Sequence, residues 1–553
     1  DPYGFACEKR PANASIVTNL QEYRWNDDKW LAKRSKRDYT KEPMNIYEVH
    51  LGSWKRQQGT EDGFVNYREL ARQLVQYVQK MGYTHVELLP VMEHPLDESW
   101  GYQVTSYYAP TSRHGSPQDF MYFMDTMHQA GIGVILDWVP AHFPKDENGL
   151  ARFDGTCLYE HADPRQGEHP HWGTLIYNYG RPEVANFLTA NALFWIEQYH
   201  ADGIRMDAVA SMLYLDYGKQ DGEWVANMYG GNENLEAIAF LRDLSDVMHE
   251  GNKGALLIAE ESTAWPKVTE PSTVDGLGFD LKWNMGWMND FTTYMQTDPL
   301  FRKGRHGMLT FSMIYAYSEK FVLVFSHDEV VHLKGSMFAK MPGEPEEKYA
   351  NLRVAYGFMM AHPGKKLLFM GQEFAQENEW NEKQELPWKQ AEEPDHRALQ
   401  QYVKALNTFY QEHPAWYETD FDAEGFEWLS SMDADHSIIT FMRYDAKKEE
   451  RLLVVCNFTP VTYENFKIGV PVAGKYKEIF NSDQISFGGT GCINARQKSA
   501  KKIPWDGREY SLTISVPPLG MSVYRCVPTD TMTATVPSKR GSARTGKTVK
   551  KRK

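Results

Sequence analysis

The 553 residues contain no run of eighteen or more apolar side chains, so no segment is long and greasy enough to cross a membrane as a helix. No basic-then-apolar leader stands at the start, and the chain opens on Asp1 rather than Met, which reads as a cut end. Cysteine is scarce: Cys7, Cys157, Cys456, Cys492 and Cys526 are scattered, odd in number and form no CxxC pair. That pattern excludes a disulfide framework and a zinc site, and it suits a reducing cytosol, so a cytoplasmic protein is expected. Positive charge is in deficit, with a formal net charge of −14. A polyanion such as nucleic acid is a poor partner for that surface, because binding it needs clustered Lys and Arg. No glycine-rich phosphate loop follows a strand, which argues against nucleotide-sugar use. No His, Cys and carboxylate set has metal-ligand spacing, so neither a metal nor another cofactor is expected.

Aromatic side chains, by contrast, make up 13% of the chain. They fit a partner with flat C–H faces, such as a sugar, and they fit equally the filling of a large core. Residues 1–44 are polar and irregular and read as a lead-in. From 45 to 420, short apolar runs alternate with helical periodicity. Strands are expected at Asn45–Leu51, His85–Pro90, Gly133–Val139, Gly203–Ala208, Ala255–Glu260, Phe279–Trp283, Phe321–Ser326 and Lys366–Met370. Helices are expected at Tyr67–Met81 and around Phe120–Ala130, Pro182–His200 and Asn234–Glu250. Eight such βα units close into a (β/α)8 barrel, an α/β fold whose chemistry sits at the C-terminal strand ends. Long polar stretches at 141–180 and 327–347 are expected to serve function. From 421 to 528, short alternating runs such as Ser437–Tyr444, Arg451–Phe458 and Tyr510–Val516 predict a C-terminal all-β sandwich. Residues 529–553, rich in Thr, Ser, Gly and Lys, are expected to be a disordered basic tail.

Four carboxylates close greasy strands: Asp137 ends GVILD, Asp207 ends GIRMD, Glu260 ends ALLIAE and Asp328 follows FVLVFSH. In a barrel all four converge on one rim. A carboxylate there is poorly solvated unless it is paired or working. Retaining glycosyl transfer needs an ionised carboxylate nucleophile and a protonated carboxyl that donates to the leaving oxygen. Asp207 lies two residues from Arg205, on the same strand face, and an adjacent Arg favours the ionised form, so Asp207 fits the nucleophile. The acid must hold its proton near neutral pH, which burial and nearby negative charge promote, and Glu260 then fits the acid/base. Asp328, beside His327, is left to stabilise the cationic transition state.

These segments resemble the four signature regions of the α-amylase superfamily: DWVPAH (137–142), GIRMDAV (203–209), AEEST (259–263) and FSHDEVV (325–331). The resemblance implies the same three roles for Asp207, Glu260 and Asp328, with Glu260 rather than Glu261 as the acid. It also implies sugar contacts from Tyr102, Asp137, His142, Arg205 and His327. Ala141 stands where many amylases carry a calcium-ligating Asn, and Ala210-Ser211 where they carry Lys-His; both depart from an ordinary amylase. WGYQVTSYYAPTSRHG, GLGFDLKWNMGWMND, FSHDEVVHLKGSM and MGQEFAQENEW resemble instead the bacterial-type glycogen branching enzymes, over residues 1 to about 525. The resemblance implies an α-glucan substrate, a transfer that forms α-1,6 branches, and an N-terminal carbohydrate-binding domain preceding the present Asp1.

The alternatives are an α-glucan hydrolase of the same superfamily, with the same carboxylates, and a non-catalytic glucan-binding protein, which the intact carboxylates oppose. Trp100, Trp283, Trp287 and Trp380 suit either sugar stacking or packing. His94, His114 and His332 are read as ordinary polar contacts. Oligomeric state is not legible.

Overall fold

The computed structural model describes residues 1–59 and 62–529. The basic tail expected to be disordered lies, beyond Thr529, outside the described residues. Eight parallel strands form a closed barrel: β1 (Asn45–Val49), β2 (His85–Leu88), β3 (Gly133–Trp138), β4 (Gly203–Met206), β5 (Leu256–Ala259), β6 (Leu281–Trp283), β7 (Phe321–Phe325) and β8 (Lys365–Phe369). Each pairs with the next in sequence, and β8 closes on β1 with Ile46 opposite Leu367. All eight fall within a residue or two of the expected runs. Their residues are buried on both faces, which is why they read as continuous apolar runs without alternation.

Local sequence sets the helix ends. Asn66 caps Tyr67–Met81 through the Arg68 amide, and Gly82 closes it in the left-handed conformation (φ 76°). Ser116 and Asp119 form a capping box on Pro117–Gln129. Among the described residues, no helix is long and apolar enough to cross a membrane.

The lead-in differs from expectation. Asp28–Arg34 is a short helix fastened to the base of the barrel. Trp30 Nε1 donates to Asp202, just before β4, at 2.7 Å. Arg34 bonds the carbonyls of His200 and Ala201. Asp27 meets both His128 and His200 at 2.8 Å. A helix of seven residues is too short to announce itself by periodicity, and its anchors are residues far away in sequence.

After the barrel, β9 (Phe426–Asp433), β10 (Ile438–Tyr444), β11 (Arg451–Asn457), β12 (Tyr463–Val470), β13 (Gly474–Asn481), β14 (Tyr510–Val516) and β15 (Gly520–Pro528) form two antiparallel layers. The larger sheet runs β9-β10-β11-β15-β13 and the smaller pairs β12 with β14. One core lies between the sheets, with Leu453, Val455, Ile468 and Leu512. The opposite face of the large sheet, with Phe441, Val454 and Val523, joins the barrel core.

Candidate active site

A parallel barrel delivers every strand end to one rim, and the local backbone then aims the side chains. Asp137 on β3 stands opposite Arg205 on β4 in register. Beyond β4, the Asp207 amide donates to the Trp138 carbonyl at 3.0 Å, and the Glu260 amide donates to the Met206 carbonyl at 3.0 Å. The ladder therefore continues one residue past the strands and presents the two carboxylates side by side. Ala208 follows in the left-handed region (φ 52°), a strained conformation for a residue with a Cβ. That turn lets its amide donate to Glu260 Oε2 at 2.9 Å.

Arg205, fully buried, is the hub. Its Nη1 donates to both Asp137 oxygens, at 2.7 and 2.6 Å, and to Asp207 Oδ1 at 3.2 Å. Its Nη2 donates to Glu260 Oε2 at 2.7 Å. The Trp283 ring packs 4.2 Å from the guanidinium carbon, an arrangement in which the aromatic face attracts the cation. Tyr102 OH donates to Asp137 Oδ2 at 2.5 Å and lies 3.3 Å from His327 Nε2. His142 Nε2 donates to the Tyr102 carbonyl at 3.1 Å. His327 Nδ1 meets Glu48 Oε1 at 2.5 Å, while its Nε2 faces Asp328 Oδ1 at 3.4 Å. All eight residues singled out from the sequence are thus gathered in one cluster of contacts.

The electrostatics divide this cluster. Burial pushes the Asp207 carboxyl well up, and the neighbouring Glu260 adds to this, against the pull of Arg205. The direction is opposite to the expectation that Arg205 keeps Asp207 ionised: the guanidinium is engaged more closely by Asp137 and Glu260. Burial also raises Asp137, to about 6, with Arg205 opposing. At Asp328 burial acts upward but is outweighed by His327 and Arg205, so this carboxyl is lowered. His327 is raised to about 10, because Asp328 and Glu48 outweigh the burial that disfavours its charge. Burial lowers His142 to about 4, leaving it neutral.

Glu261, the neighbour of Glu260, faces elsewhere. It accepts from Lys282 Nζ at 2.7 Å and from Thr263 Oγ1 at 2.5 Å, fully buried. Glu48 was missed by the sequence reading. Its signal was present: a lone carboxylate within the apolar run NIYEV. Glu87, opposite Glu48 in register, is a second such residue. Both its oxygens lack a partner among the described residues, and burial pushes its carboxyl well up. Trp283 and Trp287 are buried, so they pack rather than stack on sugar. Trp100 and Trp380 lie 5.1 Å apart near His327. Among the described residues, no group of three or more His, Cys, Asp or Glu is arranged to hold a metal.

Two family models match: the alpha amylase catalytic domain over residues 49–154 and the alpha amylase C-terminal all-beta domain over residues 428–527. Among solved structures, a putative alpha amylase from Salmonella typhimurium superposes with a TM-score of 0.68 at 18% identity, covering 95% of this chain and 88% of that one. The alpha-amylase of Geobacillus thermoleovorans gives a TM-score of 0.66 at 15% identity, covering 89% and 100%. These likenesses establish the fold. Curated relatives are much nearer in sequence. The 1,4-alpha-glucan branching enzyme GlgB of Gloeobacter violaceus is 56% identical over 95% of this chain and 72% of its own length. That of Methylococcus capsulatus is 57% identical over 94% and 70%, and that of Aquifex aeolicus 55% over 94% and 82%. With an α-amylase barrel, a C-terminal all-β region and this degree of identity along nearly its whole length, the chain belongs to the 1,4-alpha-glucan branching enzyme family.

Proposed function

We propose that this cleft cuts an α-1,4 bond of a glucan and passes the freed chain to a 6-hydroxyl, in two displacements with net retention. In the first, Asp207 attacks the anomeric carbon, the C1–O bond breaks, and Glu260 gives its proton to the leaving 4-oxygen. In the second, the 6-hydroxyl of another glucose attacks C1, Glu260 takes its proton, and Asp207 leaves as a carboxylate. Asp328 faces the developing positive charge, and Tyr102, Asp137, His142 and His327 hold sugar hydroxyls. Residues 45–420 supply the catalytic unit and 421–528 an accessory one. The neutral glucan suits a surface of net charge −14, and five free cysteines suit the cytosol.

The observation that supports this reading most is the sharing of Arg205. Its Nη2 and the Ala208 amide both donate to Glu260 Oε2, which fixes that oxygen and leaves Oε1 clear of both donors. Asp207 is buried beside the half-buried Glu260 at the rim, and burial and the Glu260 charge push the Asp207 carboxyl well up. A sugar whose C1 gains positive charge beside Asp207 favours the carboxylate form of Asp207.

The test uses Glu260→Gln. On amylose it loses activity by about a thousandfold, since the leaving oxygen needs a proton. With α-glucosyl fluoride, whose leaving group needs little help, it accumulates a glycosyl-enzyme, read as a mass increase on the peptide carrying Asp207. A label on Glu260 or Asp328, or near-normal activity on amylose, would overturn these roles.

A further inference from the structure

A carboxylate inside an apolar strand costs free energy unless something answers its charge. Glu48 stands in the run NIYEV of β1 and is 1% exposed. Both its oxygens are spent on one residue. Oε2 accepts from the backbone amide of His327 at 2.9 Å, and Oε1 meets Nδ1 of the same ring at 2.5 Å. In the barrel β8 lies between β1 and β7, so this contact spans a strand and owes nothing to the ladder. His327 opens the short turn His327–Val330, which carries Asp328 away from β7. Holding its amide therefore fixes where that turn leaves the strand.

The partners of the ring decide where its protons sit. Nε2 faces Asp328 Oδ1 at 3.4 Å and Tyr102 OH at 3.3 Å. The one proton of Tyr102 goes to Asp137, at 2.5 Å, so towards Nε2 the tyrosine oxygen can only accept. Acceptors thus stand against both ring nitrogens, and an imidazole answers both only as the doubly protonated cation. Glu87, opposite Glu48 in register, does not compete for that cation: burial, with the charge of Glu48 adding, pushes its carboxyl well up. Burial disfavours charge on His327, but Asp328 and Glu48 outweigh it and raise the ring to about 10. Of the other titratable groups around the ring, Arg205 and His50 act against its charge and Asp137 acts with it.

We propose that Glu48 is a positioning residue for glucan transfer: by accepting from both the amide and Nδ1 of His327, it holds that ring as a cation with Nε2–H turned towards Asp328. Glu48 is closed to solvent and reaches no substrate atom. It acts through His327, whose charge in turn outweighs burial at Asp328 and lowers that carboxyl. A neutral ring protonated on Nδ1 would present Nε2 to Asp328 as a second acceptor, and the two lone pairs would repel. This role rests on the reading of the rim as the site of glycosyl transfer.

The experiment compares the pH profiles of Glu48→Gln and Glu48→Asp on amylose, followed by loss of iodine colour, which reads α-1,4 cleavage whatever the acceptor. Gln keeps the size but loses the charge, and its single oxygen cannot serve both the amide and Nδ1–H. The ring then loses its proton at lower pH, so the alkaline limb of kcat should move down by about one pH unit. On that limb kcat should fall about tenfold, with KM within about twofold. Asp keeps the charge, so its limb should stay with that of wild type even where kcat is lower throughout. A residue that merely fills space gives the opposite order, Asp worse than Gln and neither limb displaced, and that result would overturn the proposal. In a His327→Gln background, Glu48→Gln should change kcat by less than about twofold; a further tenfold loss would equally overturn it. Should the variants not fold, neutron diffraction from wild-type crystals near neutral pH decides. Deuterium on both nitrogens of His327 is expected, and deuterium on one alone contradicts the role. A wild-type chain that cuts amylose yet forms no α-1,6 linkages would defeat the branching reading and leave the limb shift, and with it the role of Glu48, standing.

Discussion

The two ends of the barrel bury charge in opposite ways. At the floor, Asp27 and Asp202 sandwich His128, at 2.8 and 3.0 Å, while His200 bonds Asp27 and Arg34 lies against Asp202. Although burial acts against ionisation there, these cations win, and both carboxyls are held far below their usual range. At the rim, Asp137, Asp207 and Glu260 share the single guanidinium of Arg205. Burial wins there, joined at Asp207 by repulsion from Glu260, and Asp207 and Asp137 rise. Balanced pairing makes a fixed clamp, and crowding makes a site whose Asp207 and Asp137 carboxyls are harder to ionise. The floor is built for stability and the rim for chemistry.

Substitutions at the two ends sharpen that contrast. The largest effect is expected of Asp207→Ala, which removes the proposed nucleophile and should cut turnover by more than about a thousandfold. Its melting temperature is expected to equal or exceed that of wild type, because it relieves repulsion at the rim. A marked drop in melting temperature would show that the rim is a clamp too. Next comes Asp202→Ala at the floor. It strands His128 and the Trp30 indole and is expected to cost about 3–5 kcal/mol in denaturant titrations. The folded fraction should keep kcat within about threefold. Loss of kcat without loss of stability would erase the distinction between the ends.

A subtler effect is the pH dependence of the clamp. Burial lowers His128, but Asp202 and Asp27 outweigh it and raise the imidazole to about 9. Its unfolded value is about 6.5. The stabilisation is therefore fully present below pH about 6.5 and lost as pH rises through about 9. It amounts to about 3 kcal/mol. The stability difference between wild type and His128→Gln should shrink over that window. A difference that stays constant from pH 6 to 10 would show that His128 is not charged. The smallest effect is expected from a chelator. Ala141 is a buried methyl where a calcium-ligating Asn stands in many amylases. Activity should be unchanged in excess EDTA; a loss that calcium restores would contradict this.

The rim was largely legible in the sequence and the floor was not. Asp137, Asp207, Glu260 and Asp328 each end or follow a hydrophobic run, so the expected barrel strands placed them together. Glu48 was hidden because a charged residue inside a strand looks like a break in pattern until the barrel gives it His327 as a partner. Asp27 and Trp30 sit in a short helix without periodicity, and their meaning depends on Asp202, some 170 residues away. The rise of Asp207 was likewise illegible: nearness to Arg205 in sequence says nothing of how many other carboxylates claim the same guanidinium.

The crowded rim is expected to transfer glucan to a sugar hydroxyl rather than to water. Incubation with linear amylose, followed by proton NMR for α-1,6 linkages and by a reducing-end assay, tests it most directly. Branch linkages are expected to rise while reducing ends stay nearly constant. A stoichiometric rise in reducing ends without new branches would contradict it.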